Sequence, residues 1–370
     1  MKILIIVHSL TGGGAERVAA SWANGLSRRG NSVTIMTGLR GQQTYDTDRA
    51  VSLVQLNFYR LKSRSIFQRL KAKVLNPVRI FNQIRLYIDN EQPDVIMNVL
   101  YYYPYSVLLG RCFAKYKVKL IQTDHNAYER PKGHGFAWKQ WRNKFIDNRF
   151  FDKVTVLTHP DKKILNKKGI HNVEVLHNPL FLQPVATVPK KEKIVLAVGR
   201  IDQWYVKGFD VLMKAWREVA KYCPDWKLRV VGTGDASTID MLKKFAGTAS
   251  ESIEFVSYTP NVKEEYHKAS IFVLSSRYEG WGLVMVEAMS QGCAVVACDY
   301  KGRQTEAVCN NINGLICTPD NVDELAFKIK ELINNDSLRT NLQFQGVNSV
   351  AEYSEENVAV NIENLIRSIN

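Results

Sequence analysis

The 370-residue sequence predicts an α/β protein of two facing domains, each a parallel, doubly wound sheet, with a ligand cleft between them. Three observations predict it. Short apolar runs alternate with helical periodicity along most of the chain, the alternation starts afresh at Lys193, and a proline-bearing stretch without period separates the two series. The length suits two domains, each large enough to bury its own core. With 45% hydrophobic and 23% charged residues, the composition excludes a disordered chain, a collagen and a coiled coil.

Met1 to Leu10 is a continuous apolar run that meets Thr11-Gly12-Gly13-Gly14, after which Val18, Ala19, Trp22, Ala23 and Leu26 recur at helical spacing. This reads as strand, glycine turn, helix. The helix closes at Gly30, and Ser32 to Thr37 supplies the next strand. Further strands are expected at Asp94–Asn98, Lys119–Gln122 and Val154–Leu157. The second series runs from the strand at Lys193 through a helix over Phe209–Lys221. Strands follow at Lys227–Gly232, Ile253–Val256, Ile271–Ser275, Ala294–Cys298 and Gly314–Cys317. These runs define two Rossmann-like domains, residues 1–183 and 184–351, joined by a linker over Asn178–Glu192. An amphipathic helix over 352–370 is expected to pack back on the first domain.

No apolar run reaches the ~18–20 residues of a bilayer span, and the first strand leads straight into a glycine turn as a signal peptide would not. The six cysteines form no C-x-x-C pair, so a reducing cytoplasm without structural zinc is expected. The net charge of +14 is uneven: residues 1–180 carry 29 Lys and Arg against 12 Asp and Glu, while residues 181–370 carry 21 against 24. Between Arg49 and Ile88 there is no acid, and nine cations (Arg49, Arg60, Lys62, Arg64, Arg69, Lys71, Lys73, Arg79 and Arg85) alternate with Leu, Ile, Val and Phe. Such a segment suits an anionic membrane surface. No nucleic-acid-binding motif accompanies it.

The turn Gly12-Gly13-Gly14 offers backbone amides and a helix N-terminus to an oxyanion. It is no dinucleotide fingerprint, because Arg17 stands where the last glycine belongs. Gly232-Thr233-Gly234 fails likewise at Ser237, and no Walker lysine follows either turn. Asp46-Thr47-Asp48 is read as a surface loop rather than a metal-binding pair, so no metal site is expected. Gly199-Arg200 ends a strand and Lys207-Gly208 precedes a helix, placing two cations where a departing diphosphate could be stabilised. The densest signal is Glu279-Gly280-Trp281-Gly282-Leu283-Val284-Met285-Val286-Glu287, with Glu279 in a loop and Glu287 inside the following helix. Buried among Val286, Ala288 and Met289, Glu287 needs a hydroxyl or cation partner, for which ribose hydroxyls would serve. His125, with Asn126, follows a strand at the same edge of the first domain.

Taken together, Gly-Gly-Ala-Glu-Arg at 13–17, His125-Asn126, Gly199-Arg200, Lys207-Gly208 and the E-x7-E of Glu279 and Glu287 resemble glycosyltransferase family 4 over nearly the whole chain. The resemblance implies the GT-B fold and sugar transfer from a nucleotide donor with retention of anomeric configuration. It also implies that nucleotide-sugar is a substrate and that no cofactor is needed. By the same resemblance Arg200 and Lys207 hold the diphosphate, Glu287 the ribose, and Glu279 the transferred sugar, with amides from Gly280, Trp281, Gly282 and Leu283. Gly13 and Gly14 approach the phosphates, His125 lies beside the sugar, and the base rests near Val256 and Tyr258. The chain departs from the family pattern at Trp281 (usually Phe), Ser257 (often Gly) and Thr305 (usually Pro), which bears on donor preference and loop shape.

The amino-terminal motif looks most like that of bacterial enzymes extending lipid-linked glycans for capsule, O-antigen or N-linked oligosaccharide. The implied partners are a UDP-sugar, a polyprenyl-diphosphate-linked acceptor and the anionic inner face of the plasma membrane, met by segment 49–88. Two alternatives are an epimerase of the same fold, which would need no acceptor, and a catalytically silent membrane-docking protein, which would bind no nucleotide.

Overall fold

A computed structural model describes residues 1–11, 13–38, 44–58, 65–129 and 137–369, with residues 67–69 as backbone only. It divides into two compact units, Met1–Pro179 with Glu355–Asn370, and Leu180–Ser354.

In the first unit the chain runs β1 (Lys2–Val7), α1 (Gly14–Arg28), β2 (Ser32–Thr37), β3 (Ser52–Gln55), α2 (Ile66–Glu91) and β4 (Val95–Val99). It continues through α3 (Pro104–Phe113), β5 (Lys119–Thr123), α4 (Trp138–Phe145), β6 (Lys153–Val156), α5 (His159–Lys167) and β7 (Val173–Val175). The strands form one parallel sheet in the order β3-β2-β1-β4-β5-β6-β7. A sheet with helices on both faces buries both sides of its central strands, which is why β1 and β4 are apolar almost without interruption rather than alternating. Ile80, Ile84 and Ile88 of α2 join Leu4, Ile6 and Ile96 in one core.

The second unit holds β8 (Glu192–Val198), α6 (Trp204–Lys207), α7 (Phe209–Ala220), β9 (Lys227–Val231), α8 (Ala236–Ala246), β10 (Ile253–Val256) and α9 (Val262–Lys268). After them come β11 (Ala269–Leu274), α10 (Leu283–Ser290), β12 (Ala294–Cys298), β13 (Leu315–Cys317), α11 (Val322–Asn334) and α12 (Asp336–Ser349). Its parallel sheet has the order β10-β9-β8-β11-β12-β13. Trp216, Leu212 and Val219 of α7 pack into its core with Val195 and Val230. The last helix, α13 (Glu355–Arg367), returns to the first unit and lies on α1. There Ser21 Oγ donates to Glu355 at 2.7 Å, and Arg28 and Arg29 pair with Glu355 and Glu363 at 2.6 and 3.2 Å.

Several elements differ from the sequence reading. The strand expected over Met1–Leu10 ends at Val7, where His8 begins the turn. Strands β3 and β7 were not expected: both are short, and β3 is only partly buried, so neither carries a clear apolar run. The stretch read as the interdomain linker, 178–192, is bonded to the second unit. Leu180 N–H donates to Tyr353 O, Val185 N–H to Ser290 O, and Lys191 Nζ to the carbonyls of Tyr266 and Gln291.

Candidate functional site

In an open α/β sheet, ligands gather beyond the carboxyl ends of the strands where the strand order reverses. In the second sheet this point lies between β8 and β11, and the loops leaving those strands carry Gly199-Arg200 and Ser275 to Gly282.

Lys207 Nζ donates to Glu279 Oε1 at 2.5 Å, and Ser276 Oγ donates to the same oxygen at 2.8 Å. Both charged side chains are mostly sheltered yet keep an outlet to solvent, 21% and 17% exposed. The cluster depends on a close approach at Gly208. Its φ of +62° is left-handed, and a Cβ there would sit 1.9 Å from Ser275 O. Ser275 Oγ in turn donates to Lys207 O at 2.8 Å, tying the two loops together. Arg277 reinforces the tie with bonds of 2.7 and 2.8 Å to the two carboxylate oxygens of Asp210, while its guanidinium lies 4.1 Å from the Tyr205 ring centroid. The sequence reading assigned nothing to Ser276, Arg277 or Asp210. Their signal was the position of Ser and Arg immediately before Glu279 and of an acid at the start of α7.

The remaining expected donor residues are distributed less simply. Arg200 is 63% exposed and pairs with Asp202 at 2.6 Å, so it does not stand beside Lys207 as a second sheltered cation. That pair is solvent-screened and weak, so a diphosphate could take the guanidinium from it. Glu287 lies within α10, 3% exposed, and accepts from Tyr266 Oη at 3.1 Å. A hydroxyl partner of the kind it required is therefore present inside the domain. Trp281 turns its side chain into the core, edge-on to Tyr353 at 4.8 Å, leaving only its backbone beside Gly280, Gly282 and Leu283. Val256 ends β10, and Tyr258 beyond it is 68% exposed, free to meet a flat ring.

In the first unit the order reverses between β1 and β4. Gly12 lies outside the described residues. Gly13 N–H donates to Tyr45 Oη at 3.2 Å, and Glu16 folds back so that a Cβ on Gly13 would meet its carboxylate at 2.2 Å. A carboxylate thus stands at the opening of α1, where an oxyanion was expected; the positive helix end attracts either. Asp46-Thr47-Asp48 is a structural corner: Asp48 pairs with Arg28 at 2.8 Å and Asn24 anchors both ends.

His125 follows β5. Its Nδ1 and Asn178 Oδ1 are 2.9 Å apart, so Nδ1 carries the proton and Nε2 is the lone-pair nitrogen. Burial lowers its pKa below the ordinary value, only partly opposed by Asn178 and the Asp124 charge, so the ring is neutral near pH 7. Beneath it, buried Asp124 pairs with buried Lys144 and accepts from Tyr101 Oη at 3.0 Å and from Asn126 N–H at 3.0 Å. Burial pushes Asp124 upward, but the Lys144 charge and these hydrogen bonds hold its carboxyl below the usual range. Lys144 was not foreseen, because the two partners stand 20 residues apart in sequence.

At the switch point itself a cavity of 540 Å³ is lined by His8, Tyr101, Tyr102, Tyr103, Lys73 and Lys139, among others. His8 stacks on Tyr102 with centroids 4.9 Å apart, and its Nδ1 is 3.1 Å from Tyr103 Oη. Burial pushes the Tyr103 hydroxyl up to about 12, so it stays a hydrogen-bond donor. The signal was the Tyr101-Tyr102-Tyr103-Pro104-Tyr105 tract directly after a predicted strand. Of the basic segment, Arg60, Lys62 and Arg64 lie outside the described residues, as does the Arg69 side chain.

Two family models match successive parts of the chain: Glycosyltransferase Family 4 over residues 12–183 and Glycosyl transferases group 1 over residues 181–347. The chain is 28% identical over 368 residues to the amylovoran biosynthesis glycosyltransferase AmsD of Erwinia amylovora, covering 96% of each. It is 24% identical to a Campylobacter jejuni enzyme named as an α-1,4-N-acetyl-D-galactosaminyltransferase acting on a diphospho-undecaprenol glycan, covering 92% of this chain and 91% of that one. Among solved structures, a mutant TarM of S. aureus in complex with Fondaparinux, alpha-GlcNAc-glycerol and UDP superposes with a TM-score of 0.77 at 17% identity, covering 99% of this chain and 100% of that one.

Proposed function

The chain belongs to glycosyltransferase family 4, and from that premise we propose a retaining, metal-independent enzyme that moves a sugar from a UDP-sugar to a lipid-linked glycan in bacterial surface-glycan assembly. The second unit holds the donor and the first the acceptor. The observation that carries this reading is the Lys207–Glu279–Ser276 cluster at the reversal point of the second sheet. An ammonium and a carboxylate joined at one oxygen present opposite charges side by side. That suits a ligand with a diphosphate next to a sugar: the ammonium turns to the phosphate oxygens, and the carboxylate accepts from sugar hydroxyls.

In transfer the bond between the anomeric carbon and the diphosphate oxygen breaks and a bond to the acceptor oxygen forms on the same face. The acceptor proton passes to the departing phosphate oxygen. Lys207, with Arg200 once released from Asp202, stabilises the charge that grows on the diphosphate, the role a metal ion plays elsewhere. Neutral His125 carries its lone pair on Nε2, 3.4 Å from Thr123 Oγ1, and a sugar hydroxyl would compete with that threonine for it. The aromatic cavity at β1 and β4 suits a glycan, whose C–H faces stack on tyrosine rings while its hydroxyls bond to theirs. Support for the lipid-linked acceptor comes from the diphospho-undecaprenol glycan in the Campylobacter relative's name and from the cationic segment 49–88, which would meet an anionic membrane face. The test is UDP release from a panel of UDP-sugars with and without polyprenyl-diphosphate glycans. Acceptor-dependent release of UDP is expected; sugar interconversion without acceptor would mark an epimerase instead.

A further inference from the structure

Helix α2 turns two different stripes outward and inward. Ile80, Ile84 and Ile88 face the core, but Ile66, Leu70, Val74 and Val78, also four residues apart, face solvent; Val74 is 67% exposed. All four are more than half exposed, so this stripe lies outside the core. Helix α3 repeats the pattern with Tyr105, Leu109 and Phe113, the last 65% exposed. The two helices touch: Phe81 meets Phe113 edge-on at 5.7 Å, and Ser106 Oγ donates to Pro77 O. Helix α4 extends the wall. Arg142 lies 4.8 Å over the Tyr105 ring, and Trp138, 69% exposed, stacks on Trp141 at 5.2 Å. Exposed apolar side chains on three neighbouring helices far exceed the scattered singles of an ordinary surface. Lys71, Lys73, Arg79 and Lys139 are exposed among them.

We propose that this face, shared by α2, α3 and α4, inserts shallowly into an anionic bilayer, with Val74, Phe113, Trp138 and Trp141 as apolar anchors. The inference builds on the membrane-facing reading of segment 49–88 and changes its physics. A basic segment alone would adsorb electrostatically and be released by salt, whereas buried apolar area holds when charges are screened. Tryptophan is suited to this role because its ring rests at the boundary between headgroup and hydrocarbon. The occupant is a bilayer rather than a second copy of the chain, because the cations within the face match lipid phosphates and would repel their own copies across a two-fold interface. Lys73 and Lys139 also line the tyrosine cavity, so docking would turn its mouth to the headgroup layer from which a lipid-linked glycan would enter.

Flotation of the full chain with phosphatidylcholine vesicles, with and without phosphatidylglycerol, tests this at about 0.15 M and about 0.5 M salt. Binding to the anionic vesicles, blue-shifted tryptophan emission and substantial retention at the higher salt are expected. The double variant Val74→Glu/Phe113→Glu and the separate variant Trp138→Ser/Trp141→Ser should each weaken partitioning ~10-fold or more while keeping the melting temperature. No vesicle binding, full release by salt, unchanged partitioning in both variants, or a dimer in light scattering that these variants dissolve would each overturn it. Vesicle binding is read without any sugar, so it stands or falls separately from UDP release.

Discussion

Lys207 and Glu279 share a single oxygen contact, and the proposed function gives the two residues separable tasks. Lys207→Ala would remove the cation proposed to face the leaving diphosphate and should lower turnover at least ~100-fold, the scale of one lost transition-state contact. Glu279→Ala should lower it similarly by freeing the sugar. Steady-state rates of UDP release check both, and wild-type rates in either would contradict the assignments. Gly208→Ala attacks the same site through the backbone: a left-handed φ and a Cβ 1.9 Å from Ser275 O force the two loops apart, so a lower melting temperature and lost activity are expected together. His125 gives a pH-dependent signature. Its folded pKa lies below its unfolded value, so the linkage contributes nothing well above pH ~6.5 and costs stability as pH falls through ~6.5 toward the folded pKa. In denaturant melts, the stability of wild type relative to His125→Asn should therefore fall between about pH 7.5 and about pH 5, the range over which histidine charges. A difference that stays flat or grows would contradict a neutral, half-buried ring.

The loop after β11 is an element held by one arginine. Arg277, 11% exposed, spans Asp210 on α7 and Asp320 at 2.7 and 2.6 Å, and its own N–H donates to Val206 O. Arg277→Met would leave Asp210 sheltered without its partner, a loss of about 3–5 kcal/mol for a buried pair. The double variant Arg277→Met/Asp210→Leu should recover part of it, which chemical denaturation measures; equal losses in single and double variants would deny the coupling. Elements like this mark the limit of what a sequence discloses. The alternation of KILIIV, SVTIMT and IVLAVGR with helical periods was enough to foresee two parallel sheets, because continuous apolar strands have few other uses. Glu279 in a loop and Glu287 in a helix were legible from the glycines between them. The pairing of Arg277 with Asp210, of Asp124 with Lys144 and of Glu287 with Tyr266 was not, since each joins residues 20 to 67 positions apart. The local pairing of Arg200 with Asp202, two residues on, was not read either.

At the scale of the molecule, α13 shows how the chain's end completes its beginning. Val358, Ala359 and Ile362 are buried in the first unit, and Gly25 of α1 passes so close that a Cβ would lie 2.9 Å from Glu355 O. Gly25→Val should therefore destabilise the first unit by wedging α13 away, by roughly 1–3 kcal/mol as in other overpacked contacts. Thermal unfolding should show an earlier transition, while an unchanged melt would mean that α13 is dispensable. The whole account, however, rests on the second unit holding a uridine diphosphate through Lys207. Calorimetric titration of UDP into wild type and Lys207→Ala tests that most directly. Saturable binding to wild type, weakened at least ~10-fold in the variant at equal fold stability, is the predicted result. Equal affinity in both proteins, or no binding to wild type, would contradict it.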